Sequence, residues 1–168
     1  MDTDVKVDVT RNVYLYFNLT LQDIRDRQRW FNDEQETSSP TYNKHVPNIP
    51  TFYYNYGVEY HAEGLIGRRE LSRVYIDVSH VGEFDWGWQM STLTEERRKW
   101  RIPSNDIFTI GLQQSLWHNN ISLSFELENI FNKENYMEFK MPLPGRTLKA
   151  KLRFNLFSDK LSGGAMSL

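Results

Sequence analysis

The chain contains no cysteine, which excludes disulfides and thiolate metal sites and leaves the redox compartment unread. It also lacks any run approaching the roughly 18 apolar residues of a membrane helix, so a helical span is excluded. Charge of one sign is not in excess. Twenty Lys and Arg against 22 Asp and Glu give a formal net charge of −2, too close to neutral to point to nucleic acid. The opening decapeptide MDTDVKVDVT has neither the basic nor the apolar region of a secretory leader. Against these absences stands an aromatic content of 14%. The mean hydropathy of −0.63 suits a soluble protein, but long strands that are polar at every second position lower that mean too.

Such strands are legible near the C-terminus. Ile121, Leu123, Phe125 and Leu127 alternate with Ser122, Ser124, Glu126 and Glu128. Beyond a loop with Pro142, Pro144 and Gly145, Leu148, Ala150, Leu152, Phe154 and Leu156 alternate with Lys149, Lys151, Arg153 and Asn155. A period of two gives a strand with one apolar and one polar face. Most strands of soluble domains stop at about five or six residues, whereas a tilted crossing of a bilayer takes about nine to eleven.

The same pattern predicts strands at Asp4–Val9, Val13–Ile24, Thr51–Ala62, Ser72–Phe84, Asp106–Trp117, Ile121–Phe131 and Thr147–Phe157. Connections 10–12, 63–71 and 118–120 are short, and 25–50, 85–104 and 132–145 are long. Short turns on one side and long loops on the other fit an outer-membrane barrel. Aromatics near strand ends (Phe52, Phe84, Trp117, Phe131, Phe157) fit its interfacial girdles. Gln114 interrupts the apolar face between Leu112 and Leu116, which a bulge or a place near the interface would accommodate. Leu21–Asn32, the best helix candidate, is polar on most faces and reads as a strand end running into a loop. Alternation does not say which face is inside, so a soluble lipocalin-like barrel or a small complete outer-membrane barrel also fits the length.

The C-terminal wording adds a resemblance. Asn129, Ile130, Phe131, Asn132, Lys133 and Tyr136, followed by Pro144, Gly145, Arg146 and an alternating strand, resemble the final hairpin of TonB-dependent outer-membrane receptors. Those proteins usually stop at a terminal aromatic, whereas here residues 158–168 extend past Phe157 as a Ser- and Gly-rich tail. The resemblance implies an all-β fold, with residues 1–157 an antiparallel segment of a 22-strand transmembrane barrel. On this reading the chain is part of a longer protein of the Gram-negative outer membrane. Its partners would be lipid, the remaining strands, a plug domain and, through the plug, the TonB complex. The implied function is uptake of a scarce nutrient such as a siderophore, haem, cobalamin or an oligosaccharide.

Chemistry-bearing motifs are few. His45, His61, His80 and His118 lack metal-ligand spacing, and His45 lies in a long loop. Neither a nucleophile elbow nor a phosphate loop is present. Glu59, Asp77, Glu83, Glu126 and Glu128 read as polar wall residues rather than an acid–base pair. The run from Glu95 to Arg101 reads as a solvated loop, and the glycosylation sequons at Asn18 and Asn120 carry no weight. No enzyme, metal or cofactor is therefore expected. Three structural expectations follow. Apolar faces should point outward, the sheet should be open, and the final hairpin should oppose Glu126 to Lys151 and Glu128 to Lys149.

Overall fold

A computed structural model describes residues 1–30, 38–67, 69–88 and 101–155. Its strands are β1 (Asp2–Asp8), β2 (Val13–Leu21), β3 (Phe52–Glu63), β4 (Leu71–Val81), β5 (Phe84–Asp85), β6 (Arg101–Ile102), β7 (Asn105–Leu116), β8 (Ile121–Glu128), β9 (Tyr136–Glu138), β10 (Met141–Pro142) and β11 (Thr147–Phe154). Seven of them form one antiparallel meander in the order β1-β2-β3-β4-β7-β8-β11. β5 with β6 and β9 with β10 make two small separate hairpins. The seven-strand sheet is not closed, since β1 and β11 each end it with one edge unpaired.

A meander sends successive connections to alternate ends. The turns 9–12, 64–70 and 117–120 therefore gather at one end, and the connections 22–51, 82–104 and 129–146 at the other. The seven predicted strands are all present; all but β3 end before their predicted C-terminal limit, and β1, β4 and β7 start earlier than predicted. β2 stops at Leu21, where Gln22 turns its amide onto the Pro50 carbonyl at 2.7 Å. β8 stops at Glu128 because Asn129 takes the left-handed conformation, φ 52°, and breaks the alternation before Ile130 and Phe131. β4 ends at Val81, three residues before the expected Phe84, which belongs to β5 instead.

The two faces segregate by register. One row runs Val7–Leu15–Val58–Ile76–Ile110–Leu127–Leu148 across all the strands of the sheet. The row beside it, on the opposite face, runs Lys6–Tyr16–Gly57–Asp77–Thr109–Glu128–Thr147. The apolar row is not a core. Val7, Leu15, Val58, Ile76, Ile110 and Leu148 are all exposed. Buried apolar residues are limited, among the described residues, to Ala62, Val78 and Ile102.

The final hairpin is paired differently from the expectation. Lys149 lies opposite Glu126, Thr147 opposite Glu128, and Lys151 opposite Ser124. The register moves by two because the loop is lopsided. On its β8 arm Asn129 and Asn132, both near φ 52°, build a turn that the β11 arm does not match. The faces are as expected, and Lys149 serves both glutamates, at 3.3 Å from Glu126 and 2.6 Å from Glu128.

Candidate functional site

Three regions concentrate specific geometry: the apolar face, the polar face and the long-loop end. On the apolar face, polar side chains occur in two cross-strand rows. Near the short turns Ser72 donates to Gln114 at 2.6 Å, and both are buried. Gln114 sits in regular register with Ser72, so its place in the apolar pattern involves no bulge. Toward the long loops His80 meets Asp106 at 2.6 Å, and Lys133 reaches the other Asp106 oxygen at 2.5 Å. Aromatic rings frame this second row. His80 stacks on Tyr54 and Phe52, with centroids 4.6 and 5.5 Å away, and Phe108 meets Phe131 edge-on at 4.9 Å. Between the rows stand Val74, Ile76 and Val78 of β4 against Leu112, Ile110 and Phe108 of β7.

On the polar face, carboxylates are tied across strands. Glu59 holds Arg73 at 2.5 Å, and the Arg73 guanidinium lies 4.8 Å from the Tyr75 ring centre. Two arrangements repeat one design. Tyr16 of β2 crosses Gly57 of β3 and donates to Asp77 of β4. Tyr75 of β4 crosses Gly111 of β7 and donates to Glu126 of β8 at 2.6 Å. A Cβ on either glycine would run into the tyrosine ring. Both glycines are there for the close approach of a side chain. Glu59, Asp77, Glu126 and Glu128 thus each engage a cation or a phenol rather than one another.

At the long-loop end, a cleft of about 280 Å³ lies between the β2–β3 and β4–β7 connections. His45, Ile49 and Phe52 line one side, and Glu83, Asp85 and Arg101 the other. Arg101 bonds Glu83 at 2.6 Å and approaches Asp85 at 3.6 Å. His45 Nδ1 is 3.3 Å from Asp23, whose carboxyl is held below the usual range, chiefly by its hydrogen bond from Arg25. Asp26 is lowered by the Thr41 hydroxyl at 2.5 Å and then by the Gln28 amide at 2.8 Å. Trp86 stacks on Phe139, 4.2 Å between centroids.

The remaining histidines stay apart. His61 lies 3.9 Å from Glu59, and the His118 amide donates to Glu70 in the turns at the opposite end. Among the described residues no group of three or more His, Cys, Asp or Glu is placed to hold a metal ion. Of the charge run 95–101 only Arg101 is described, and the tail 158–168 lies outside the described residues.

The two C-terminal motifs are joined physically. Asn129 brackets Lys133, donating to its carbonyl at 2.8 Å and accepting from its amide at 2.9 Å. Its amide also approaches the Pro144 carbonyl at 3.4 Å. Asn132 accepts from the Arg146 amide at 2.9 Å, and a Cβ at Gly145 would crowd that oxygen. Asn105 brackets Tyr136 in the same manner, at 2.5 and 2.9 Å. The sequence reading missed Asn105, the buried Asn135, whose amide donates to the Asp106 carbonyl at 3.2 Å, and the tyrosine–glycine pairs. Isolated glycines inside strand patterns were the available signal for the pairs. Neither a protein-family model nor a curated protein matches the chain.

Proposed function

We propose that this chain is a portion of the wall of a transmembrane outer-membrane barrel, in the manner of TonB-dependent receptors. The observation that carries the reading is the exposed apolar row spanning the whole sheet, flanked along β4 and β7 by the polar pairs Ser72–Gln114 and His80–Asp106. From Ser72 to His80 a strand advances about 26 Å before any tilt, comparable to the roughly 25 Å apolar band of such barrels. An exposed patch of this extent exceeds the few hundred Å² usual on soluble monomers. The segregation of short turns from long connections supports the same orientation, with the long-loop end outside. In this role the apolar face meets lipid and the polar face lines the lumen opposite a plug. The long-loop cleft contributes to capture of a scarce nutrient, and import draws on the TonB complex. The chain acts as wall and lid, not as a catalyst. A lipocalin-like barrel would enclose the apolar face, and the unpaired edges of β1 and β11 argue against that.

The absence of native cysteine makes the test direct. Single cysteines at Ile76, Leu112 and Phe125, and at Asp77, Gln113 and Ser124, are labelled with an environment-sensitive fluorophore in lipid vesicles. Blue-shifted emission and quenching by brominated acyl chains are expected at the first three alone. A detergent-free, monodisperse and cooperatively melting monomer with those three positions shielded from solvent would refute the membrane reading.

A further inference from the structure

The open edges of the sheet differ in charge, and this difference specifies what sits beside them. On its polar face β1 carries Asp2, Asp4, Lys6 and Asp8, with Lys6 engaged by Asp4 at 3.0 Å. β11 carries Lys149, Lys151 and Arg153 on the same face of the sheet. Lys149 is neutralised by Glu126 and Glu128, but Lys151 and Arg153 lie opposite Ser124 and Ser122. Neither has a carboxylate partner among the described residues. Leu148, Leu152 and Phe154 beside them are 70%, 55% and 59% exposed. Lysines on an edge strand often serve only to block association, yet an edge bearing so much apolar surface is not protected by two of them.

Strand parity narrows the occupant. Six antiparallel steps separate β1 from β11, so both run in the same direction. The sheet could close on itself only by a parallel pairing. A second copy related by a two-fold axis would pair antiparallel, but it would set β1 against β1 and β11 against β11. Across the β11–β11 seam, where Lys149, Lys151 and Arg153 are all cations, like charges would then face each other directly, which destabilises a sheet.

We propose that the occupant is a distinct antiparallel sheet with an odd number of strands. The strand it lays beside β11 carries carboxylates on the polar face, and the strand beside β1 carries lysine or arginine there. Apolar residues continue the opposite face. The inference refines the wall reading but rests on topology and charge, not on lipid.

The test uses the whole chain in dodecyl maltoside micelles with three synthetic strands of about nine residues, the length of a tilted crossing. They alternate leucine with glutamate, lysine or serine. Amide exchange should show the glutamate peptide protecting β11 and the lysine peptide protecting β1. Each should be favoured over the serine peptide by about three- to tenfold, as two cross-strand ion pairs provide. The double variant K151E/R153E should move β11 to the lysine peptide, and K151S/R153S should abolish the preference. Equal binding of all three peptides, protection at neither edge, or a β11–β11 crosslinked dimer would overturn the proposal. Loss of the lipid-facing labelling pattern with the peptide preference retained would defeat the membrane reading alone.

Discussion

Ile102 and Ile76 are the same side chain in two parts of one molecule, and they meet opposite surroundings. Ile102, in the layer formed by the long connections, is 1% exposed, as is Asn135 of the same layer. Ile76, in the middle of the sheet, is 44% exposed, with exposed Val58 and Ile110 as its cross-strand neighbours. The loop layer follows the usual rule for a protein in water, with a large apolar side chain buried inside. In the sheet the well-connected side is the polar one, where Tyr75, Glu126 and Lys149 are bonded across four strands. Water drives apolar groups together only where there is water to leave. On the proposed membrane reading the contrast corresponds to two solvents for two regions, and that reading can be attacked by mutation.

The largest effect is expected in the loop layer. Ile102→Ala should cost about 2–5 kcal/mol of local stability through transfer loss and a cavity. Hydrogen exchange should show the loss around β6 and β9 while the amides of β3 and β4 keep their protection. Next comes the sheet. Ile76→Lys in vesicles should cost about 2–4 kcal/mol, as a lysine near the midplane of a barrel does. Thr109→Lys, on the polar face between Asp77 and Glu128, should cost far less. Equal losses in denaturant titrations of the two lysine variants would remove the two-solvent explanation.

A smaller change is expected from Gly111→Ala, which should destabilise by about 1–3 kcal/mol, since the new methyl overlaps the Tyr75 ring. Pairing it with Tyr75→Ser should recover part of that loss, and a double mutant no better than the single would disprove the contact. Lys149→Met removes two exposed ion pairs and should lower the denaturation midpoint only slightly, less than Gly111→Ala does. The smallest signal is a pH effect in the loop layer. The Asp26 carboxyl is lowered by Thr41 and the Gln28 amide, so its contribution is complete above the unfolded value of about 3.9. It is lost as pH falls through the lower, folded value. The Gln28 amide resonance should titrate in that acidic window and stay flat in Asp26→Asn.

Much of the sheet was legible because a period of two survives in every long strand. β3 keeps Phe52, Tyr54, Tyr56, Val58, Tyr60 and Ala62 on one face without interruption. Strand ends were less legible. They depend on single backbone choices such as Asn129 at φ 52°, which an apolar Ile130–Phe131 pair disguises. β5, β6, β9 and β10 are two or three residues long, too short for any period to be read. The register of the last hairpin was missed by two residues for a related reason, since symmetry about a loop midpoint ignores where the turn consumes chain. As for the site, the motif asparagines were visible as types, but the bracketing of Lys133 by Asn129, and of Tyr136 by the distant Asn105, belongs to three-dimensional structure. The long-loop cleft joins residues from two connections, with His45 and Arg101 far apart in the chain.

The paired tyrosine–glycine–carboxylate crossings have a mechanical consequence. Backbone hydrogen bonds tie each strand only to its neighbours, and sliding one strand along another breaks and remakes them in steps of two residues. Tyr16 and Tyr75 act at longer range, because each begins on one strand and is anchored two strands away. A slide of β3 against β2 would bring a residue with a Cβ under the Tyr16 ring in place of Gly57, and a slide of β4 would carry Asp77 out of reach. Since β4 both receives the first crossing and originates the second, the struts overlap there and couple five consecutive strands, β2 to β8, against shear. β1 and β11 lie outside that braced span. A load along the strands should therefore peel the sheet from its two edges and leave the five-strand centre in register.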